Sequence, residues 1–237
     1  MKNSYTPQTD FVSGQTLLFN KPLGWTSFQL VKKVRYLILK NIPEKKLKVG
    51  HAGTLDPLAT GLMVICTGKM TKTIDQFSSQ EKGYTGVMRL GSTTPSYDLE
   101  TEPENKKDFS FVTNELLIET ASKFLGDQLQ TPPIFSAKQV DGKRAYESAR
   151  QGIEVILKPV KIKILKFEIL EFKGSDVKFE INCTKGTYIR SIAHDFGKAL
   201  ECGAHLAALH RTKSGLFEIE NAIEIDAFEK MMQSQNN

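Results

Sequence analysis

The densest run of chemically capable residues is Gly50-His51-Ala52-Gly53-Thr54-Leu55-Asp56-Pro57-Leu58-Ala59-Thr60-Gly61. Its glycines and its proline impose an irregular backbone, and Asp56 stands directly before Pro57, which biases it to an extended conformation. Such a loop holds one carboxylate in a fixed place. Residue types alone leave two readings open: a turn in which Asp56 caps its own backbone, or a carboxylate presented for nucleophilic work. Other chemistries fail on the motifs. There is no Gly-Lys-Ser/Thr phosphate loop and no GxGxxG fingerprint. His51 has no second histidine at metal-ligand spacing, and His194, His205 and His210 form no zinc motif. A Ser-centred nucleophile elbow is also absent.

The chain around this loop has the composition of a globular protein, with 40% hydrophobic and 25% charged residues in 237. No apolar run approaches the roughly 20 residues of a membrane helix. The polar first dozen residues predict no secretory leader. Three cysteines, Cys66, Cys183 and Cys202, form no CxxC pair, which fits a reducing cytosol rather than a disulfide framework. The net charge of +5 is uneven: residues 216–237 carry −4, leaving +9 for residues 1–215. A basic body of this kind suits a polyanionic partner such as nucleic acid.

The elements that must position the loop follow from periodicity. Residues 1–14 read as a flexible tail. A strand at Thr16–Phe19 precedes the turn Asn20-Lys21-Pro22-Leu23-Gly24, and Thr26 or Ser27 can cap a helix whose apolar positions are Phe28, Val31, Val34 and Ile38. Lys32, Lys33 and Arg35 occupy its outer face. Leu62–Cys66 reads as a buried strand and Lys82–Leu90 as another, with a surface insertion at Thr93–Phe109. A helix over Phe111–Leu125 has Val112, Leu116, Leu117, Ala121 and Leu125 as its inner stripe. Ile134–Val140 turns at Asp141-Gly142 and leads to a short helix through Tyr146–Gln151. Val160–Phe172 and Val177–Cys183 alternate as paired strands around Gly174. A helix over Tyr188–Leu200, a short strand at Leu216–Ile219 and a helix from Asp226 complete the chain. The mixture predicts an α+β class on a largely antiparallel sheet, as one compact unit without a linker.

These residues also carry a resemblance. The Gly50–Gly61 block is similar to the catalytic signature of TruB-type tRNA pseudouridine synthases. Lys21-Pro22-Leu23-Gly24-Trp25-Thr26-Ser27 resembles that family's N-terminal segment, and Lys82-Gly83-Tyr84 its basic-x-Tyr strand. Pro132-Pro133, Ser136-Ala137 and Gly142–Gly152 resemble a further long segment. Lys185-Gly186-Thr187-Tyr188-Ile189-Arg190 resembles its last active-site motif, followed by Cys202-Gly203-Ala204-His205-Leu206. The blocks run in order from about residue 15 to 220.

The resemblance implies the pseudouridine-synthase catalytic fold over residues 15–225: a mixed, mainly antiparallel bent sheet flanked by helices, with the site in a central cleft. It implies isomerisation of uridine 55 in the tRNA T loop, by a cytoplasmic monomer that needs no cofactor, metal or membrane. In its terms Asp56 is the nucleophile, Arg190 the cation that pairs with this carboxylate, and Tyr84 the ring that stacks on the base and takes the C5 proton. His51 inserts into the T loop to help extrude the target uridine. Leu209 lines the uracil pocket, Tyr188 contributes to substrate binding, and Lys21 with Pro22 supports the active-site loop. Lys32 to Lys48, with Lys143, Arg144 and Arg150, would contact phosphates.

Two departures stand out. Thr94-Pro95-Ser96-Tyr97-Asp98 puts a proline where the family has an acid, in a loop expected to contact RNA or support the cleft. The 22 residues after Gly215 are too few for the PUA-type RNA-binding domain common in the family, so residues 226–237 are expected to form only a short helix or tail. A non-catalytic RNA chaperone and a uracil-releasing glycosylase are the rival functions. The chaperone would not need Asp56, Tyr84 and Arg190 together, and the glycosylase would release free base.

Overall fold

The computed structural model describes residues 5–135, 139–140, 143–144 and 157–233. The expected turn at Asp141-Gly142, the helix through Tyr146–Gln151 and the contacts expected of Lys143, Arg144 and Arg150 lie outside what is described. In chain order the elements are β1 (Thr16–Lys21), α1 (Ser27–Asn41), β2 (Val49–His51), β3 (Ala59–Thr67), α2 (Ile74–Ser78), β4 (Lys82–Leu90), α3 (Asn114–Ser122) and β5 (Gly126–Gln130). They continue with β6 (Gln139–Val140), β7 (Lys143–Arg144), β8 (Val160–Lys173), β9 (Asp176–Cys183), α4 (Ile189–Ala199), β10 (Ala204–Ser214), β11 (Phe217–Glu218) and α5 (Ile225–Gln233). This is the expected α+β class, with mixed and mostly antiparallel strand pairing.

The sequence predicts one compact unit, whereas the chain groups into two: residues 1–84 with 209–237, and residues 85–208. The first is discontinuous, because the C-terminal segment returns to pack on the N-terminal one, and no linker composition marks such a return.

In the first unit β3 is the central strand. β1 pairs with it antiparallel from Thr16↔Cys66 to Lys21↔Gly61, β2 pairs antiparallel near its end, and β10 lies parallel through Leu209↔Ala59 and Arg211↔Gly61. β3 is almost continuously buried, as its unbroken apolar run requires. Leu18, Ala52, Leu62 and Val64 form a core closed by Ile74, Phe77, Phe217, Ile219 and Ala222. Residues 5–14 are not a frayed tail. Tyr5 and Phe11 are buried and meet the Phe228 ring edge-on at 6.1 and 6.5 Å, so α5 and the N-terminal segment share one aromatic cluster.

Of the two candidate caps, Thr26 starts α1. Its hydroxyl accepts from the Gln29 N–H, and the Gln29 side chain accepts from the Thr26 N–H, closing a capping box. The buried stripe of α1 is Leu30, Val31, Val34, Leu37 and Ile38 with Ser27, while Phe28, expected inside, is 71% exposed.

In the second unit the strand order is β10-β4-β9-β8-β5. β8 and β9 form the expected antiparallel hairpin around Gly174. Phe124, Phe167, Phe179 and Phe196 pack as an aromatic core. α3 is shorter than expected and leaves Leu125 exposed. The surface insertion expected over Thr93–Phe109 is largely exposed from Leu99 to Asp108, but its start is anchored: Thr94, Ser96 and Asp98 are all buried. The strand β10 has no counterpart in the periodicity, because His205, His210, Arg211 and Lys213 interrupt its apolar alternation.

Candidate active site

His51 ends β2, Asp56 lies in the loop that follows, and the first unit fixes this loop from several sides. The Ser27 hydroxyl accepts from the Leu55 N–H at 2.8 Å and donates to the Leu55 carbonyl at 2.9 Å. One residue beyond Asp56, the Pro57 carbonyl accepts from the Gly24 N–H at 2.9 Å and from Lys21 Nζ at 3.4 Å. The Asp56 carbonyl accepts from the Ala59 N–H at 3.1 Å. Earlier in the loop, the Gly53 carbonyl accepts from Arg211 Nη2 at 3.1 Å. The half-buried Asp56 side chain therefore rises from a backbone held immediately before and after it.

Three cations are buried among the described residues of this unit: Lys21, Lys82 and Arg211. Lys21 is fully buried, and its ammonium also donates to the carbonyls of Pro22 at 3.0 Å and Trp25 at 2.5 Å. Burial lowers its pKa to about 8 against the opposing pull of Asp56, and Arg211 adds to the lowering. Asp56 thus attracts the Lys21 ammonium and favours its charged form against the cost of burial. Arg211, 1% exposed, donates from Nε to the Leu62 carbonyl at 2.7 Å. Its place depends on Gly61, whose φ of +104° is glycine's territory and whose missing Cβ would collide with the Arg211 backbone. Burial first, and Arg211 second, lower the His51 pKa against a Gly53 backbone hydrogen bond, so the imidazole is neutral at pH 7.

Tyr84 is buried near the start of β4. Before it on the same strand, Lys82 donates to the carbonyls of Phe77, Ser78 and Gln80 and so caps the end of α2. Leu209 is half-buried opposite Ala59, and its carbonyl accepts from the Thr60 hydroxyl at 3.3 Å. Lys21, His51, Asp56, Tyr84 and Leu209 therefore all belong to the first unit.

Arg190 and Tyr188 belong to the second unit, at the start of α4. The buried Arg190 guanidinium forms an ion pair with Asp98 at 3.6 Å and donates to the carbonyls of Ser96 at 3.3 Å and Phe135 at 3.0 Å. The proline-bearing loop that departs from the family pattern is thus the one that holds this arginine. Tyr188 is anchored by reciprocal bonds with the Gln130 side chain, at 2.8 and 3.0 Å.

Sequence reasoning missed Ser27 as a clamp, Asp98 as the Arg190 partner and Arg211 altogether. Arg211 left only a faint signal, as an arginine two residues after Leu209. Among the described residues, no helix is long and apolar enough to cross a membrane, and no three His, Cys, Asp or Glu are grouped to hold a metal ion.

Residues 40–189 match the family described as TruB family pseudouridylate synthase (N terminal domain), and residues 190–237 match the tRNA pseudouridylate synthase B C-terminal domain. A tRNA pseudouridine synthase B of Flavobacterium johnsoniae is 49% identical over 96% of this chain and 100% of its own length. One from Bacteroides thetaiotaomicron is 50% identical over 95% and 96%. Among solved structures, a Cbf5-Nop10-Gar1 complex contains a chain 27% identical at a TM-score of 0.71; the match covers 95% of this chain and 57% of that one. With a family match across residues 40–237 and relatives near half identity over nearly the whole length, the chain is an enzyme of the TruB pseudouridylate synthase family.

Proposed function

We propose that this enzyme acts on tRNA, as a cytoplasmic monomer, and isomerises uridine 55 of the T loop to pseudouridine with Asp56 as the nucleophile. The observation that carries the reading is the Asp56 loop itself. Its backbone is tied on both sides, and its carboxylate lies in the field of the buried Lys21 ammonium. A nucleophile needs this combination of fixed position and ionised form.

The reaction breaks the C1′–N1 bond, turns the uracil and joins C5 to C1′; C5 loses a proton and N1 gains one. The Asp56 carboxylate serves either by attack at C1′ or through elimination to a glycal, and both routes require it ionised. Tyr84 stacks on the base and removes the C5 proton, and Leu209 lines the uracil pocket. Arg190 belongs to the catalytic set by its motif, held by Asp98, and Tyr188 stands beside it in substrate binding. The neutral imidazole of His51 is suited to inserting where the extruded base had stacked, since no charge must be desolvated there. Lys21 supports the loop through Pro57.

The test is conversion of a T-arm stem-loop carrying one labelled uridine, with the product mapped by position. Pseudouridine at position 55 is the expected result. Release of free uracil would reassign the enzyme as a glycosylase, and modification elsewhere would reassign the substrate.

A further inference from the structure

Beside the Asp56 loop, α1 carries a feature that the proposed chemistry does not use. Trp25, Gln29, Lys32, Lys33 and Tyr36 line an open cavity of about 330 Å³. Phe28, Lys32 and Tyr36 follow one another at intervals of four residues, so they form one stripe along the helix: aromatic, cation, aromatic. Phe28 is 71% exposed and Tyr36 58%. Two large rings held open to solvent next to a tryptophan are a costly arrangement for a merely solvated helix face. The charge is one-sided as well: α1 contains Lys32, Lys33, Arg35 and Lys40 and no acidic residue. Lys33 is tethered to Glu229 at 2.7 Å, while Lys32 and Arg35 are exposed.

The geometry points to a subsite for an unpaired nucleotide of bound RNA, distinct from the target uridine, with its base against Trp25 and Tyr36 and its phosphate on Lys32. Aromatic faces interleaved with cations are the chemistry that holds single strands, since every base has a π-face and every linkage a negative charge. An acidic peptide would satisfy the cations and leave the rings unused. The placement also suits RNA already engaged at Asp56. The turn ending at Trp25 bonds Pro57 through Gly24, and the Trp25 carbonyl accepts from Lys21. The subsite rests on the reading of this enzyme as RNA-acting and extends it to a second nucleotide.

Trp25 is the only tryptophan in the chain, so its emission reports the cavity directly. Octa-adenylate, which contains no uridine to convert, is titrated into the full-length protein at low salt. The expected result is saturable quenching that is weakened about tenfold in Tyr36→Ala, the range of one base stack. Absent quenching, or quenching equal in Tyr36→Ala, overturns the subsite. Duplex RNA or an oligoglutamate peptide quenching as strongly as octa-adenylate overturns it too. Conversion of the T-arm stem-loop, measured in parallel, keeps the two readings apart. Quenching by a protein that forms no pseudouridine would sustain the subsite and sink the proposed function. Conversion without quenching would do the reverse.

Discussion

Ser27 and Leu55 grip each other through both backbone groups of Leu55: one hydroxyl accepts from its N–H at 2.8 Å and donates to its carbonyl at 2.9 Å. Both residues are buried, so water does not replace either bond. A side chain at the first turn of α1 thereby fixes the backbone immediately before Asp56. The Thr26 capping box leaves Ser27 available for this, because the cap is already supplied by its neighbour.

Ser27→Ala is therefore expected to lower both stability and turnover. It leaves a buried N–H and a buried carbonyl unpaired, at a cost of about 2 kcal/mol. It also frees Asp56 to wander, which should lower kcat about tenfold or more. Urea unfolding and single-turnover conversion check the two effects. Unchanged turnover in a destabilised variant would show that the clamp serves folding alone.

The second expectation concerns pH. In the folded chain the Lys21 pKa is lowered from 10.5 to about 8. The fold therefore carries the cost of burying this charge below pH 8, and that cost fades as pH rises from 8 towards 10.5, where the unfolded chain binds more protons than the folded one. Activity runs the other way: above about pH 8 the ammonium that attracts Asp56 and donates to Pro57 loses its charge. Single-turnover rates should fall through that range. Lys21→Met should be slower and flat across it. A wild-type rate that stays level to pH 9.5 would remove Lys21 from the account.

Gly61 supplies a third test. With φ at +104° and the Arg211 backbone against its Cα, Gly61→Ala must shift β3 away from β10. A loss of more than about 3 kcal/mol, measured by urea unfolding, is expected from strain of this type. Gly24→Ala shares a positive φ of +80° but meets nothing within 4 Å, so it should cost only about 1 kcal/mol. Equal losses would mean that conformation, not close packing against Arg211, decides the requirement.

The legible parts of the fold were those whose causes are local. β4, the β8–β9 hairpin and α4 were expected within a residue or two, because alternation, a turn glycine or helical spacing marks each one. What escaped depends on partners distant in sequence. Arg211 and Lys21 are charged residues that lie buried only because β1 and β10 flank β3, a register that no short window contains. Phe28 has the spacing of a core residue, yet α1 turns the Leu30–Leu37 side inward and leaves Phe28 in solvent. The Pro95 loop departs from the family pattern in sequence, yet its buried Asp98 pairs with Arg190 from ninety-two residues away. Asp56 and His51 were recognisable from their motif, but nothing in that motif names Ser27 or Gly24 as what holds it still.

The central claim is that Asp56 performs the chemistry on a base that other residues bind and extrude. Asp56→Asn and His51→Ala, each assayed for binding and for conversion of the labelled T-arm stem-loop, test it most directly. Asp56→Asn should bind the RNA as the wild type does and lose conversion by at least about 10⁴-fold, as removal of a nucleophile does, with His51→Ala losing far less. Measurable turnover by Asp56→Asn would contradict the nucleophile assignment, and an equal loss in both variants would make His51 a chemical participant.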